Sequence, residues 1–336
     1  MVKLKKILIL SLGLIITICT FSFCKSFVPS SNYTPQSIVN PYESINFETI
    51  LRLRANLHTH TIASDEDKTA DEMIRLYSQK AYDIVAITDH RTIGINSTGY
   101  RISEGRQVFV IQGIEAGLYH HHFASLFTSY NTRIRLNSNS LIRAHIRNSD
   151  SLMFLNHPTR YRRFSDRWYE NVFSRFPAER LVGMEVINGT DRYPESKYLW
   201  DRLLTKSAPA RALWGFANDD SHRASDTGFA FNEFLVEENN ITNIRYAIQN
   251  GRSFFYNRRT NEALPFVRNI IVNQERLTIT VFTENADLIQ WVSYGSVVYE
   301  GPEISIIDLG LERYLRFVIT SSGGTLYSQP FLLPAK

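Results

Sequence analysis

The side chains of this 336-residue chain that could do chemistry fall into a few short clusters. The first is Asn56-Leu57-His58-Thr59-His60-Thr61, followed by Ser64-Asp65. Side chains at i and i+2 of a strand point the same way. His58 and His60 can therefore approach one cation together, with Thr59 turned away. Further along stand Asp89-His90, Gly113-Ile114-Glu115, His120-His121-His122, Asn156-His157-Pro158 and Asp219-Asp220-Ser221-His222. Of the nine histidines, only His145 lies outside these clusters. It falls in a helical stretch and reads as a surface or packing residue.

A His-x-His pair alone is a weak signal. It gains weight from the elements that must position it. Leu53–His58, Asp83–Thr88, Val108–Ile111, His122–Thr128, Leu152–Asn156, Val182–Asn188, Ala212–Asn218 and Phe229–Val236 read as short apolar strands. Between them, 70–81, 141–148, 168–176, 197–206 and 241–250 read as helices, the last closed by Gly251. Strands alternating with helices imply parallel β-α units and a barrel-like α/β domain. In such domains functional groups collect at the carboxyl ends of the strands. The clusters sit at strand ends, a register that points to a metal site.

Both cysteines, Cys19 and Cys24, precede the body of the chain, so a metal there must be held by imidazoles and carboxylates. That donor set suits Zn²⁺, Mn²⁺ or Fe²⁺. A bound divalent ion lowers the pKa of a water to about 7 and supplies hydroxide. No catalytic side chain is then needed, and no Ser or Cys nucleophile motif is evident.

Lys3, Lys5, Lys6 and Lys25 account for the whole net charge of +4. A formally neutral body gives little support to nucleic-acid binding. Lysines at 3–6 followed by apolar residues Ile7 to Cys24 resemble a secretory leader. The run is also near the lower length for a membrane span. Phe21-Ser22-Phe23-Cys24 loosely resembles a lipoprotein cleavage box. Cleaved leader, lipid anchor and retained helix all place the body outside the cytoplasm, whether periplasmic, on the cell surface or secreted. Membrane contact is expected only through this segment.

The expected organisation is a signal peptide or anchor at 1–25, a Ser/Asn/Pro/Tyr-rich linker at 26–50, an α/β domain at 51–261 and an all-β module at 262–336. In the last part short apolar strands are separated by turns such as Gly301-Pro302 and Gly323-Gly324, as in a small sandwich.

The constellation resembles the polymerase and histidinol phosphatase (PHP) family of metal-dependent phosphoesterases over about residues 51–260. The motifs that carry it are His58-Thr59-His60 with Ser64-Asp65, Ile87-Thr88-Asp89-His90, Gly113-Ile114-Glu115, Asn156-His157-Pro158 and Asp220-Ser221-His222. The resemblance implies a distorted (β/α)7 barrel and two or three divalent ions. By motif, the implied ligands are His58, His60, Asp65, His90, Glu115, His122, His157, Asp220 and His222. His122 is preferred over His121 because Phe123-Ala124-Ser125-Leu126-Phe127 after it best matches the family's strand. Asp89, Asp219 and Glu185 read as residues that orient ligands or pack. Arg160 is a candidate contact to substrate phosphate. The leader and the β-module are similar to the secreted carbaryl-hydrolase-type subgroup. The expected activity is hydrolysis of small phosphate mono- or diesters. The alternatives are carboxylic or carbamic ester hydrolysis at the same site, or a non-enzymatic envelope binding protein.

Overall fold

The computed structural model describes residues 37–118, 120–131, 137–161 and 164–334. The expected leader at 1–25 lies outside them, as does the first part of the expected linker. Among the described residues no helix is long and apolar enough to cross a membrane.

The first part of the chain runs β1 (Leu51–Asn56), α1 (Ala70–Gln79), β2 (Ile84–Ile87), β3 (Gly99–Ser103), β4 (Arg106–Leu118), β5 (His120–Leu126), α2 (Ser138–Asn148), β6 (Leu152–Leu155), α3 (Asp166–Arg175), β7 (Leu181–Asn188), α4 (Glu195–Ser207), β8 (Trp214–Asn218), β9 (Ala230–Val236), α5 (Ile241–Asn250) and β10 (Ser253–Arg258). It continues through β11 (Phe266–Asn273), β12 (Thr278–Glu284), β13 (Leu288–Ser293), β14 (Ser296–Glu300), β15 (Glu303–Ser305), β16 (Tyr314–Ser321), β17 (Gly324–Ser328) and β18 (Phe331–Leu332).

Local chemistry explains the elements nearest the site. Thr69 caps α1 and Glu72 reaches back to the Thr69 N–H at 2.8 Å, a reciprocal capping box. Met73, Ile74 and Tyr77 then form its buried face. In β2 and β6 every side chain is buried, as expected of strands covered on both sides. Gly251, with φ of 66°, ends α5 in the left-handed conformation.

Strands β1, β2 and β4 pair in parallel, as do β6, β7 and β8. The antiparallel strand β5 joins the two sets. The sheet then rolls until β8 returns to the start. Above β1, Asp220 N–H donates to His58 O at 3.1 Å and His60 N–H to Ser221 O at 3.3 Å. Lower down the seam is made by side chains. The Asn232 amide accepts from Ala217 N–H at 3.0 Å and donates to Ala217 O at 2.8 Å. Gln329 does the same for Gly215, at 2.9 and 2.8 Å. Two carboxamides thus stand in for a missing backbone ladder and satisfy an edge that would otherwise be buried unpaired.

The architecture is mixed α/β with one large sheet, and it departs from a regular (β/α)7 alternation. No helix separates β2 from β4 or β4 from β5, and five α-helices are present among the described residues. The sequence reading also missed β3 and β10. A two-residue turn at Glu104-Gly105, with φ of 52° and 71°, folds β3 back on β4. Strand β10 carries buried Phe254, Phe255 and Tyr256, and pairs with β9 on one side and β17 on the other. It makes the rolled sheet continuous with β17, β16, β13 and β14. A second sheet, β11-β12-β15, shares a core with this extension through Ile279, Val281, Ile304, Trp291, Phe317 and Ile319.

Residues 37–50, expected to be linker, are docked. Val39 pairs with Leu332, and buried Tyr42 donates its hydroxyl to Ser253 O at 3.1 Å while accepting from Gln329 N–H at 2.8 Å. The apolar residues of this segment follow no clear period, which hid the packing. Ile38 is buried with Tyr42, its backbone pairs with the Gln274 amide at 2.9 and 2.8 Å, and Ile45, Phe47 and Ile50 pack on the same core.

Candidate metal centre

The rolled sheet brings the expected cluster residues together at one end. Residues Leu57 to His60 continue β1 past its ladder, and two amides hold this extension. Asn218 Oδ1 accepts from Leu57 N–H at 2.9 Å, and Asn56 Nδ2 donates to His58 O at 3.0 Å. Thr59 turns away from the site, bonded to Asn56 and, through its N–H, to Thr88 Oγ1 at 3.1 Å. His58 Nε2 and His60 Nε2 consequently face each other at 3.1 Å.

Around these nitrogens the donor atoms form three overlapping groups able to hold an ion. The deepest comprises His58, His60, Glu115 and Asp220, all buried. Asp220 Oδ1 lies 3.2 Å from His58 Nε2 and 3.1 Å from His60 Nε2. Glu115 Oε2 lies 3.3 and 3.4 Å from the same atoms. Ligands about 2.1 Å from a shared cation are separated by roughly 3.0–3.4 Å at octahedral or tetrahedral angles, so the spacing fits. The second group is His90, Glu115 and His122, with His90 Nδ1 2.9 Å from Glu115 Oε2 and His122 Nδ1 3.1 Å from Glu115 Oε1. His157 Nε2 also reaches Glu115 Oε1, at 3.0 Å. The third group is more open: Asp65 Oδ2 lies 3.4 Å from His90 Nε2 and 3.2 Å from His222 Nε2, and His60 completes it.

Glu115 Oε2 is buried without a hydrogen bond although three imidazole nitrogens lie within 3.4 Å. Nitrogens and carboxylate oxygens converging on an atom left unsatisfied fit a divalent cation better than a packed polar core, where such groups are paired. Charge supports this. Burial opposes ionisation of Glu115, yet the imidazoles of His58, His122 and His157 outweigh it and hold the carboxyl well below its usual range. For Asp220, too, burial is overcome by His58, His60 and His157. His58 is pushed well above the ordinary imidazole value, since Asp220, Glu115 and Glu185 outweigh its burial. A cation entering here displaces protons from a site already built for positive charge.

Several carboxylates orient rather than join the cluster. Glu185 Oε1 lies 2.9 Å from His58 Nδ1, so that ring presents Nε2 to the cluster. Asp89 accepts from Thr61 N–H at 2.7 Å and Ser64 Oγ at 2.6 Å, fixing the loop that carries Asp65. Asp219 accepts from the N–H groups of Gly228, Phe229 and Ala230, while burial pushes its carboxyl up to about 6.

Of the three consecutive histidines, His122 enters the cluster. His121 is buried instead against Trp168, with rings stacked 3.7 Å apart. The His120 side chain is not among those described. His145 is buried, not at the surface, with Nδ1 2.9 Å from Ser125 Oγ. Arg160 is exposed on the turn after His157; partial burial opposes its charge, but Tyr161, Tyr193, Asp220 and Glu115 outweigh this and raise the pKa of its guanidinium. Sequence reasoning missed Tyr161, whose hydroxyl lies 3.3 Å from His122 Nε2, and Arg192, which bonds the Asp220 turn. Both lie in loops with no periodicity to single them out.

No family model and no curated protein sequence matches the chain. Solved structures do. A two-domain protein from Bacteroides vulgatus, described as containing a predicted PHP-like metal-dependent phosphoesterase, aligns over 91% of this chain and 93% of its own, with 15% identity and a TM-score of 0.50. The fold is shared with that PHP-like protein. A lesion-specific endonuclease from Pyrococcus furiosus aligns over 59% of this chain and 56% of its own, with 15% identity and a TM-score of 0.43. An amidohydrolase from Chromobacterium violaceum aligns over 50% and 87%, with 16% identity and a TM-score of 0.36. That fold likeness stands beside a buried His/Glu/Asp cluster whose donor atoms are close enough together to hold a metal ion.

Proposed function

We propose that the chain is a phosphoesterase of the PHP type, its rolled sheet a distorted (β/α)7 barrel, acting on small-molecule phosphate mono- or diesters. The observation that carries this is that three donor groups overlap, two of them sharing one buried carboxylate, Glu115. In this reading His58, His60, Asp65, His90, Glu115, His122, His157, Asp220 and His222 hold two or three Zn²⁺, Mn²⁺ or Fe²⁺ ions. Bound ions there supply Lewis acidity and an activated water. The chain's own part is positional. Glu115 turns Oε2 toward His58, His60 and His90 and Oε1 toward His122 and His157, Glu185 fixes the His58 ring, and Arg160, exposed on the turn after His157, would contact an anionic substrate oxygen. The Lys-rich start and apolar stretch to Cys24 support an extracytoplasmic location. With the β-module they also support kinship with the carbaryl-hydrolase-type subgroup.

Elemental analysis of the purified chain, with a chromogenic phosphate monoester and diester assayed on the same sample, tests the proposal. Bound metal with turnover that disappears in His58→Ala and Asp220→Ala is expected. Full metal with turnover only of carboxylic or carbamic esters would replace the substrate class. Absence of metal after reconstitution would sink the enzyme.

A further inference from the structure

We propose that Arg192 is a positioning residue of the metal centre, a strut that orients His58 and Asp220 from one guanidinium; this rests on reading the cluster as that centre. Asp220 has φ of 49°, a left-handed conformation uncommon for residues other than glycine. Something must hold it there. Arg192 Nη2 donates to Asp219 O at 2.7 Å and to Asp220 O at 3.0 Å, on the two sides of the strained backbone. The same nitrogen lies 3.3 Å from Asp220 Oδ2.

The second arm of the strut is Asn188. Arg192 Nε donates to Asn188 Oδ1 at 2.8 Å, which fixes the orientation of that amide. Its NH2 group is then aimed at two carboxylates, Glu185 Oε2 at 3.0 Å and Asp220 Oδ2 at 3.2 Å. Glu185 in turn holds His58 Nδ1. With Oδ2 of Asp220 taken by Asn188 and Arg192, Oδ1 is the oxygen left to face the His58 and His60 nitrogens.

The local backbone is shaped for this guanidinium. Arg192 N–H closes a turn onto Asn188 O at 2.9 Å. Inside it Gly189 has φ of 55°, and a Cβ there would lie 2.9 Å from Arg192 Nε and 3.2 Å from Cζ. Glycine therefore supplies both the left-handed turn and the room for the side chain. Lysine cannot replace arginine, because an ammonium group has no planar fork to engage carbonyls and amide together.

The test is Zn²⁺ affinity of the full chain, by competition with a chromogenic chelator, for wild type, Arg192→Ala and Arg192→Lys, with the melting temperature of each metal-free protein recorded alongside. Expected is a loss of about tenfold or more in affinity for Arg192→Ala, the range seen when a group orienting a metal ligand is removed. Arg192→Lys should recover little of it. Millimolar methylguanidinium, but not methylammonium, should restore Arg192→Ala. Equal affinity in wild type and Arg192→Ala would overturn the proposal. So would a loss that methylguanidinium leaves unchanged while the metal-free variant melts early, since that marks a purely structural arginine. Wild type that binds no Zn²⁺ would remove the metal-centre reading itself, and this inference with it.

Discussion

Replacing Glu185 by glutamine changes one atom and should disable His58. Four donors converge on the buried carboxylate. His58 Nδ1 at 2.9 Å and Asn218 Nδ2 at 2.9 Å reach Oε1; His157 N–H at 2.8 Å and Asn188 Nδ2 at 3.0 Å reach Oε2. A carboxylate is acceptor-only and satisfies all four, whereas a carboxamide has one acceptor and one donor end. If its NH2 faces His157 and Asn188, two donors lose their acceptor. If it faces His58, the ring can accept at Nδ1 only by moving its proton to Nε2. That nitrogen is 3.1 Å from His60 Nε2, in the middle of the cluster, and once protonated it cannot ligate.

The expected magnitudes follow. Two hydrogen bonds to a charged group at about 1.5–3 kcal/mol each put the stability loss near 3–6 kcal/mol if no tautomer change relieves it. A tautomer change recovers part of that stability and moves the penalty onto metal binding. Glu185→Gln should then bind Zn²⁺ about 10–100-fold more weakly, the range for loss of an orienting partner. Chelator competition on wild type and variant, with urea unfolding of the metal-free proteins, separates the two terms. A variant with wild-type stability and affinity within about threefold of wild type would refute the reasoning, because neither orientation of the amide can then be unfavourable.

Three further outcomes follow from groups away from the cluster. Burial pushes the His145 imidazole down to about 4, whereas the unfolded chain takes up that proton near 6.5, so stability is full above that pH and falls as pH drops toward 4; His145→Gln should flatten this limb by about 3 kcal/mol, and urea midpoints with the same pH slope in both proteins would count against it. Asp201 on α4 holds buried Arg316 of β16 by two bonds of 2.6 and 2.8 Å; Asp201→Ala should lose about 3–5 kcal/mol, most of it recovered in Asp201→Leu/Arg316→Met, and a single variant as stable as wild type would deny the pairing. Asn232→Leu should lose about 2–5 kcal/mol by leaving Ala217 N–H and O unpaired at the seam, with faster amide exchange confined to β8 and β9; unchanged exchange there would show that the amide does not hold the seam.

Where the sequence spoke clearly, a repeating physical constraint was at work. The five helices were legible because each must bury one stripe, as Met73, Ile74 and Tyr77 do on α1. Buried strands such as Ile84–Ile87 were legible because water on neither side leaves room for polar residues. The edges and joints were not. Strand β3 alternates between exposed and half-buried positions and offers no apolar run. The seam between β8 and β9 is closed by Asn232 and Gln329, amides that look like any loop residue in a sequence. Docking of residues 37–50 depends on partners far away in the chain, Ile38 with Gln274, Val39 with Leu332 and Tyr42 with Gln329.

The candidate site divides along the same line. Histidines and carboxylates gathered near strand ends are few in kind, so the sequence could bring His58, His60, His90, His157, Asp220 and His222 to one end of the sheet. Glu115, expected just past a strand ending at Ile111, lies instead inside the longer β4 and still faces them. The residues that aim them could not be placed, because aiming is a property of pairs distant in sequence. Nothing in Asn188-Gly189-Thr190-Asp191-Arg192 marks it as the brace of Asp220, and nothing in Glu185 distinguishes it from Asp89 until His58 Nδ1 is seen against it. The choice among His120, His121 and His122 shows where the boundary falls. Strand alternation puts neighbouring side chains on opposite faces, and here one face holds the cluster and the other a stack of aromatic rings. The imidazole of His121 packs on Trp168 as a flat ring, while Nδ1 of His122 faces Glu115 Oε1 at 3.1 Å inside the cluster. The same side chain packs against rings at one position and joins a polar cluster at the next, and only the partners decide which.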